Sequence, residues 1–331
     1  MARELAMRIS STALSFVWVA TVACGGDDGG SAPTPDAPGE KDIGFTRPTA
    51  SLKANHDLGD DPSTPNVVEK NRWEELGPAN LGCLGTPSAD VPSSAEVTIN
   101  TVVRDFQKGE LAGGYEVTAF ANQDFDNPFG PAVVSDLTTA EVAITIPAGT
   151  TRFGYKIVNR EFALDTLLLN QKLDGTNPQV VDKIQSVSTQ TATTLPALIG
   201  VSRSPGTGIL AGAIRDCDDN EISNFIATVS STPGTVTSTV EEAVTHLPGV
   251  DVYYFSPAGG LPVRHTQENH GTKDGLFMAI EMQPTPTAYI QVWGYPTDAD
   301  LAADNLKLVA QLQTQVIADV VITGSYEPLR P

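Results

Sequence analysis

Basic residues are scarce in this chain. Lys and Arg number 20 against 40 Asp and Glu in 331 residues, a formal net charge of -20. A field of that sign repels phosphate backbones and anionic lipid headgroups, which sets nucleic acid aside as a partner. It reads as solubility outside the cell, with cation binding as the alternative. Aromatics are also few, at 6%, while Thr, Val, Gly and Pro recur, a mixture that favours short strands and tight turns over helices. Several motifs of common catalytic sites are missing. There is no Gly-x-x-x-x-Gly-Lys-Ser/Thr phosphate loop and no dinucleotide fingerprint after a strand. Gly200-Val201-Ser202-Arg203-Ser204 lacks the last glycine of a nucleophile elbow. The apolar run from Ile9 to Ala23 is too short for a comfortable membrane span. Cysteine occurs three times, at positions 24, 83 and 217.

What is present begins with that N-terminus. Arg3 and Arg8 precede the apolar run, which ends at Thr21-Val22-Ala23-Cys24 and gives way to Gly-Gly-Asp-Asp-Gly-Gly. A positive start, a short apolar stretch and small residues form an export signal. Small residues before a Cys and a polar tether after it resemble a bacterial lipoprotein signal. The resemblance implies that residues 1–23 are removed, that Cys24 carries lipid, and that several acyl chains hold the protein to a membrane of the bacterial envelope, facing periplasm or exterior. The alternative is ordinary cleavage after Ala23, leaving a free thiol. Residues 24–70 are rich in Gly, Pro, Asp, Ser and Thr and show no periodic face, so they read as a flexible tether. Trp73 and Leu76 are then the first side chains expected to dock on a folded body. With Cys24 acylated, Cys83 and Cys217 remain as a pair for one disulfide in an oxidising compartment.

The body has room for two domains, and 40% apolar against 18% charged residues is a globular composition. Its pattern has period two: Val97, Ile99, Thr101 and Val103; Tyr115, Val117 and Ala119; Val142, Ile144 and Ile146; Phe153, Tyr155 and Ile157. Each set fits a strand with one buried face. Gly113-Gly114, Asn127-Pro128 and Pro147-Ala148-Gly149 mark turns at sandwich spacing. The pattern then recurs. Val103-Arg104-Asp105 with Leu111 returns as Ile214-Arg215-Asp216 with Ile222, and Val142, Ile144 and Ile146 return as Met278, Ile280 and Met282. Tyr155 and Ile157 return as Ile290 and Val292. The predicted fold is therefore all-β, two tandem sandwiches over 71–192 and 193–331. Asp298 to Asp304 predicts a short helical turn, and Val316, Ala318, Val320 and Ile322 a closing strand.

At these residues the chain resembles the carboxypeptidase regulatory-like domain, a transthyretin-like, Ig-like sandwich. The family opens on Val-x-Asp followed by a glycine-rich turn, matched by Val103-Arg104-Asp105 and Gly109-Glu110-Leu111-Ala112-Gly113-Gly114. Its Asp-Gly-x-Phe is matched by Asp274-Gly275-Leu276-Phe277, where the first copy has Thr139-Ala140-Glu141-Val142, and its Pro-Ala-Gly by residues 147–149. The resemblance implies a non-catalytic accessory, adhesive or carbohydrate-contacting module and carries no catalytic residue.

Candidate chemistry is sparse. Asp216, Asp218 and Asn220 have the Asp-x-Asp-x-Asn spacing of calcium loops, but the glycine and glutamate that complete an EF-hand are replaced by Glu221 and Ala227. A hairpin turn wants the same residues for local hydrogen bonds. The sequence calls for no cofactor, with calcium here as the alternative. Asp124-Phe125-Asp126-Asn127 is a fainter version. His265 and His270, with Glu268 and Asp274 nearby, are spaced unlike a zinc helix, so a solvated loop is favoured and a loop-built metal site is the alternative. Acidic neighbours make Cys217 a poor thiolate, which suits a disulfide better than a nucleophile. Tyr253, Trp293 and Tyr295 fit core packing, with a sugar-stacking platform as the alternative. The expected function is binding, adhesion or scaffolding toward an extracellular glycan or protein; the alternative is a secreted hydrolase, or its accessory module, with a metal at His265 and His270.

Overall fold

The computed structural model describes residues 46–58, 72–239, 247, 250–258 and 260–331. The leader, Cys24 and most of the tether lie outside the described residues. The period-two pattern places its strands well. β3 (Val97–Asp105) alternates buried and half-buried along its whole length, and pairs antiparallel with β6 (Glu141–Ile146), Ile99 facing Ile144. The opposing layer is a meander of β4 (Glu116–Ala121), β7 (Arg152–Val158) and β8 (Ala163–Lys172). β5 (Val133–Val134) lies beside β4, and β9 (Gln179–Val180) beside β3. β10 (Ile184–Ser188) runs parallel to β3 and antiparallel to β8, closing one side. Val97, Ile99, Val117, Ile144, Tyr155 and Ile157 fill the space between the layers.

The same wiring then recurs. β11 (Gly208–Ile214) pairs antiparallel with β16 (Leu276–Met282) and parallel with β19 (Val320–Tyr326). β13 (Ile226–Ser230), β17 (Thr285–Gly294) and β18 (Lys307–Val316) repeat the three-stranded meander. β14 (Asp251–Ser256) extends the β16 edge and carries β15 (Leu261–Pro262). The repeat extends to single hydrogen bonds: Val103 N–H donates to Ala140 and Ile214 N–H donates to Gly275, each at 3.0 Å. Ala140 thus occupies the place of Gly275 and shares its left-handed backbone, φ 57° against 65°, a conformation that an L-residue tolerates poorly and glycine freely. This register shifts one correspondence by a residue. Val142 answers to Phe277, and Met278 and Ile280 point to the opposite face. β16 is buried on both faces, so its apolar run gives no alternation from which to choose.

The outer face of β16 is buried by a third layer. α1 (Thr189–Leu198), capped by Ser188, whose hydroxyl accepts from Thr191 N–H, lays Leu195 against Ile209, Met278 and Val321, with Ile199 following its last turn in the same cluster. The boundary expected at 192/193 falls inside this helix, and the described residues belong to one compact unit. β19 also pairs in parallel with β8, so the sheet runs unbroken from one sandwich into the other. Arg152 of β7 seals the same junction, holding Glu327 through two hydrogen bonds of 3.0 and 3.1 Å and Asp90 through a third. Burial opposes its charge, but these carboxylates raise the guanidinium above its usual value and Glu327 is held low.

Three further expectations need correction. Part of the expected tether belongs to the folded body: β1 (Lys53–Asp57) pairs with β2 (Trp73–Pro78) and with β12 (Glu221–Ser223), and Leu52 is fully buried against Gly294, where a Cβ would come within 2.5 Å of it. Docking therefore begins before Trp73, and Leu76 is exposed. The closing strand is two strands, β18 and β19, with Ala318 in the turn between them. The short helix is present as α2 (Asp298–Ala302), capped by Thr297.

Cys83 and Cys217 form a disulfide, Cα atoms 5.9 Å apart, tying the segment after β2 to the β11–β12 turn across 134 residues. Closing a loop of that length lowers the entropy of the unfolded chain by the equivalent of about 5 kcal/mol. Replacing both cysteines by Ala should therefore move the urea midpoint down markedly, and an unchanged midpoint would show that the bridge adds no stability.

Candidate functional site

The acidic turn is built by one carboxylate. Asp216 Oδ1 accepts from the N–H groups of Asp218 and Asn220 at 2.9 and 3.0 Å, and Oδ2 accepts from Asn80 N–H at 3.0 Å. Asp218 accepts from the Asn80 side chain. In the first copy Asp105 does the same work, accepting from Gln107, Lys108 and Ser188 N–H; burial opposes its charge, yet the amide bonds keep its pKa below the usual value. The Asp-x-Asp-x-Asn spacing thus belongs to a hairpin turn whose lead oxygens point at backbone amides.

The two histidines do not converge. His265 Nε2 sits 2.9 Å from Asp251 Oδ1, with its ring stacked on Tyr253 at 4.6 Å. His270 Nε2 is 3.0 Å from the Thr46 carbonyl; burial lowers its pKa despite that contact. Among the described residues, no three His, Cys, Asp or Glu side chains are grouped as metal ligands. The aromatic platform is overturned by burial. Trp293 is fully enclosed and donates to Thr228 Oγ1 at 3.0 Å, while Tyr295 donates to Asp304. Tyr253, 8% exposed, donates to Asp251 beneath the His265 ring. Trp293 and Tyr295 pack with Ile226, Leu306 and Leu308, and Tyr253 packs with Ile209, Met278 and Ile280.

What the pattern did not reveal is a cavity of about 270 Å³ between the third layer and the continuous sheet. Phe106, from the first copy's hairpin turn, meets Phe255 edge-on at 6.1 Å and closes part of its wall. Leu195 of α1 lies on one side, and Ala211, Gly212 and Ala213 of β11 lie on the other. Arg215 also lines it. Its guanidinium reaches Asp219 at 3.0 Å and Glu221 at 3.1 Å, while its buried Nε–H has no acceptor. The small-residue run Ala211-Gly212-Ala213 was the available signal, in a strand otherwise lined by Ile and Leu.

Two carboxyls are perturbed here, Glu221 beside Arg215 and Asp274 within reach of Glu221's charge. Burial raises Glu221, with Arg215 pulling the other way. Burial pushes Asp274 up to about 7, against hydrogen bonds from Leu276 N–H and the Thr272 hydroxyl; its Oδ2 has no partner.

No protein-family model matches the chain, and neither does any curated protein. Among solved structures, the shaft pilin SpaA from Lactobacillus rhamnosus GG is similar over 72% of this chain and 98% of its own, at 10% identity and a TM-score of 0.20. A streptococcal ancillary pilin is similar over 71% of this chain and 63% of its own, at 12% identity and a TM-score of 0.20. Scores of that size carry no inference about function.

Asp274 makes a measurable prediction. Its folded pKa lies above the unfolded one, so the folded state binds the extra proton between about pH 4 and 7 and stability falls as pH rises through that window. A shift from 3.8 to about 7 corresponds to about 4 kcal/mol at full development. Asp274→Asn should melt higher than the native chain at pH 8 and lose that advantage near pH 4; parallel melting curves at both pH values would refute the assignment.

Proposed function

We propose that this protein is a lipid-anchored, non-catalytic binding or scaffolding protein of the bacterial cell surface, with an extracellular glycan or protein as partner. The observation that carries this reading is where its reactive side chains go. Asp216 organises a turn, Cys217 is oxidised, His265 stacks on Tyr253, and His270 is tied to a backbone carbonyl. These side chains, for each of which the sequence favours a structural or solvated role, are held in contacts within two fused sandwiches. Carboxypeptidase regulatory-like modules suit this reading, since the repeated unit keeps equivalent left-handed residues, Ala140 and Gly275, at the place of the family's Asp-Gly-x-Phe. The leader and the acidic tether supply export and anchorage, and the negative field keeps the body off anionic headgroups. Calcium is no part of this reading, and the hydrolase reading finds its two histidines in separate contacts.

Two experiments test it. Intact mass should show several acyl chains on Cys24, and Cys24→Ser should move the protein from the membrane to the soluble fraction. Recovery of native protein with a free thiol at position 24 would remove the anchor. The soluble form, stripped of metal, should still capture a surface glycan or protein. Hydrolysis that depends on zinc and is lost in His270→Ala would instead establish the enzyme reading.

A further inference from the structure

We infer that the cavity at the junction of the two sandwiches is a binding site for an uncharged, mostly apolar small molecule carrying one hydrogen-bond-accepting oxygen. This goes beyond the partner reading and does not depend on it.

The comparison between the two copies shows why a space exists here. Val103 and Ile214 are equivalent, so the outward-facing Asn100, Val102 and Arg104 of β3 correspond to Ala211 and Ala213 of β11 and to Arg215 just beyond its end. Two larger side chains are thus replaced by alanines on the one face that α1 covers. Interiors are normally packed to the density of organic crystals, and a void whose walls are small costs the contacts it lacks. The helix bridges over this floor with Leu195 and Pro196 and leaves about 270 Å³ open. An apolar cavity of about 150 Å³ holds benzene, so this one accommodates roughly a dozen non-hydrogen atoms.

The polar groups fix the ligand's class. Arg215 Nε–H is a buried donor without an acceptor in a residue that lines the cavity, and such a donor is unfavourable until something accepts from it. The partner is a neutral oxygen rather than an anion, because the guanidinium already faces Asp219 and Glu221. A carboxylate would add a third negative group to that pair within a chain of net charge -20. Phe106, Leu195, Phe255 and Met278 offer most of the ligand apolar surface, while Gln171, Gln185, Thr323 and Ser325 also line the cavity and can bond to a neutral oxygen but carry no charge to hold an anion.

The test uses the full chain carrying Cys24→Ser, so that no acyl chain competes, with 2-nonanone as the neutral probe and octanoate as its anionic counterpart. Calorimetric titration should give a Kd on the order of 0.1 mM or tighter for the ketone, within the range open to a ligand of that size. Octanoate should bind at least about tenfold more weakly, the size of one unfavourable charged contact. Ala211→Phe and, separately, Ala213→Leu fill the space and should abolish ketone binding while retaining the native circular dichroism. Arg215→Lys keeps the charge opposite Asp219 and Glu221 but removes Nε–H, and should weaken the ketone about three- to tenfold, as for one hydrogen bond. The inference is overturned if the ketone fails to bind, if a folded filled variant binds it equally, or if octanoate binds as tightly.

Discussion

Residues 320–324 lie in parallel register against 165–169, from Val320 beside Asp165 to Gly324 beside Leu169, and this pairing makes one body out of two repeats. A parallel pair needs a covered face on either side, and β19 has both. Ile322 and Tyr326 enter the core between the meander and the main sheet, and Val321 enters the cluster beneath α1. The helix, the cavity and the Arg152–Glu327 contact all follow from placing β19 between β11 and β8. Without that strand one edge of β11 would be unpaired, and α1 would have no continuous floor to cross.

The use of aspartate follows from the same economy of elements. Strands joined by tight turns leave amides unpaired at every corner, and a carboxylate is a compact acceptor for two or three of them. Asp105 and Asp216 each stand at or just past the end of the first strand of their copy and close the following turn. Two of the chain's many acidic residues therefore have an architectural explanation. Asp274 is the exception, because burial there exceeds what its two hydrogen bonds return.

The sequence made the strands legible where one face met solvent. β3 and β6 alternate because each has an inner side and a wetter one, and period two is then an unambiguous signal. β16 hid its facing because both sides are buried, so a run of apolar residues concealed a one-residue offset. Leu52 and β1 looked like tether because a strand of five residues, recruited by pairing with distant β12, leaves almost no local pattern. The same limit applied to the aromatics: whether Trp293 faces outward depends on what lies across β17, which is tertiary information. The disulfide was legible by arithmetic, since one cysteine sits in the leader region and two remain.

The disulfide also decides how the molecule carries force. The whole of the first sandwich, from β3 to β10, lies inside the loop closed by Cys83 and Cys217. Tension entering from the N-terminal side and resisted at the C-terminal side passes through the covalent bridge directly into the β11–β12 turn. The strands between residues 84 and 216 are bypassed and bear none of it through the backbone. In mechanical respects the first sandwich, together with α1 and β11, is a side branch, and the remainder of the second, from β12 onward, is the link in the chain.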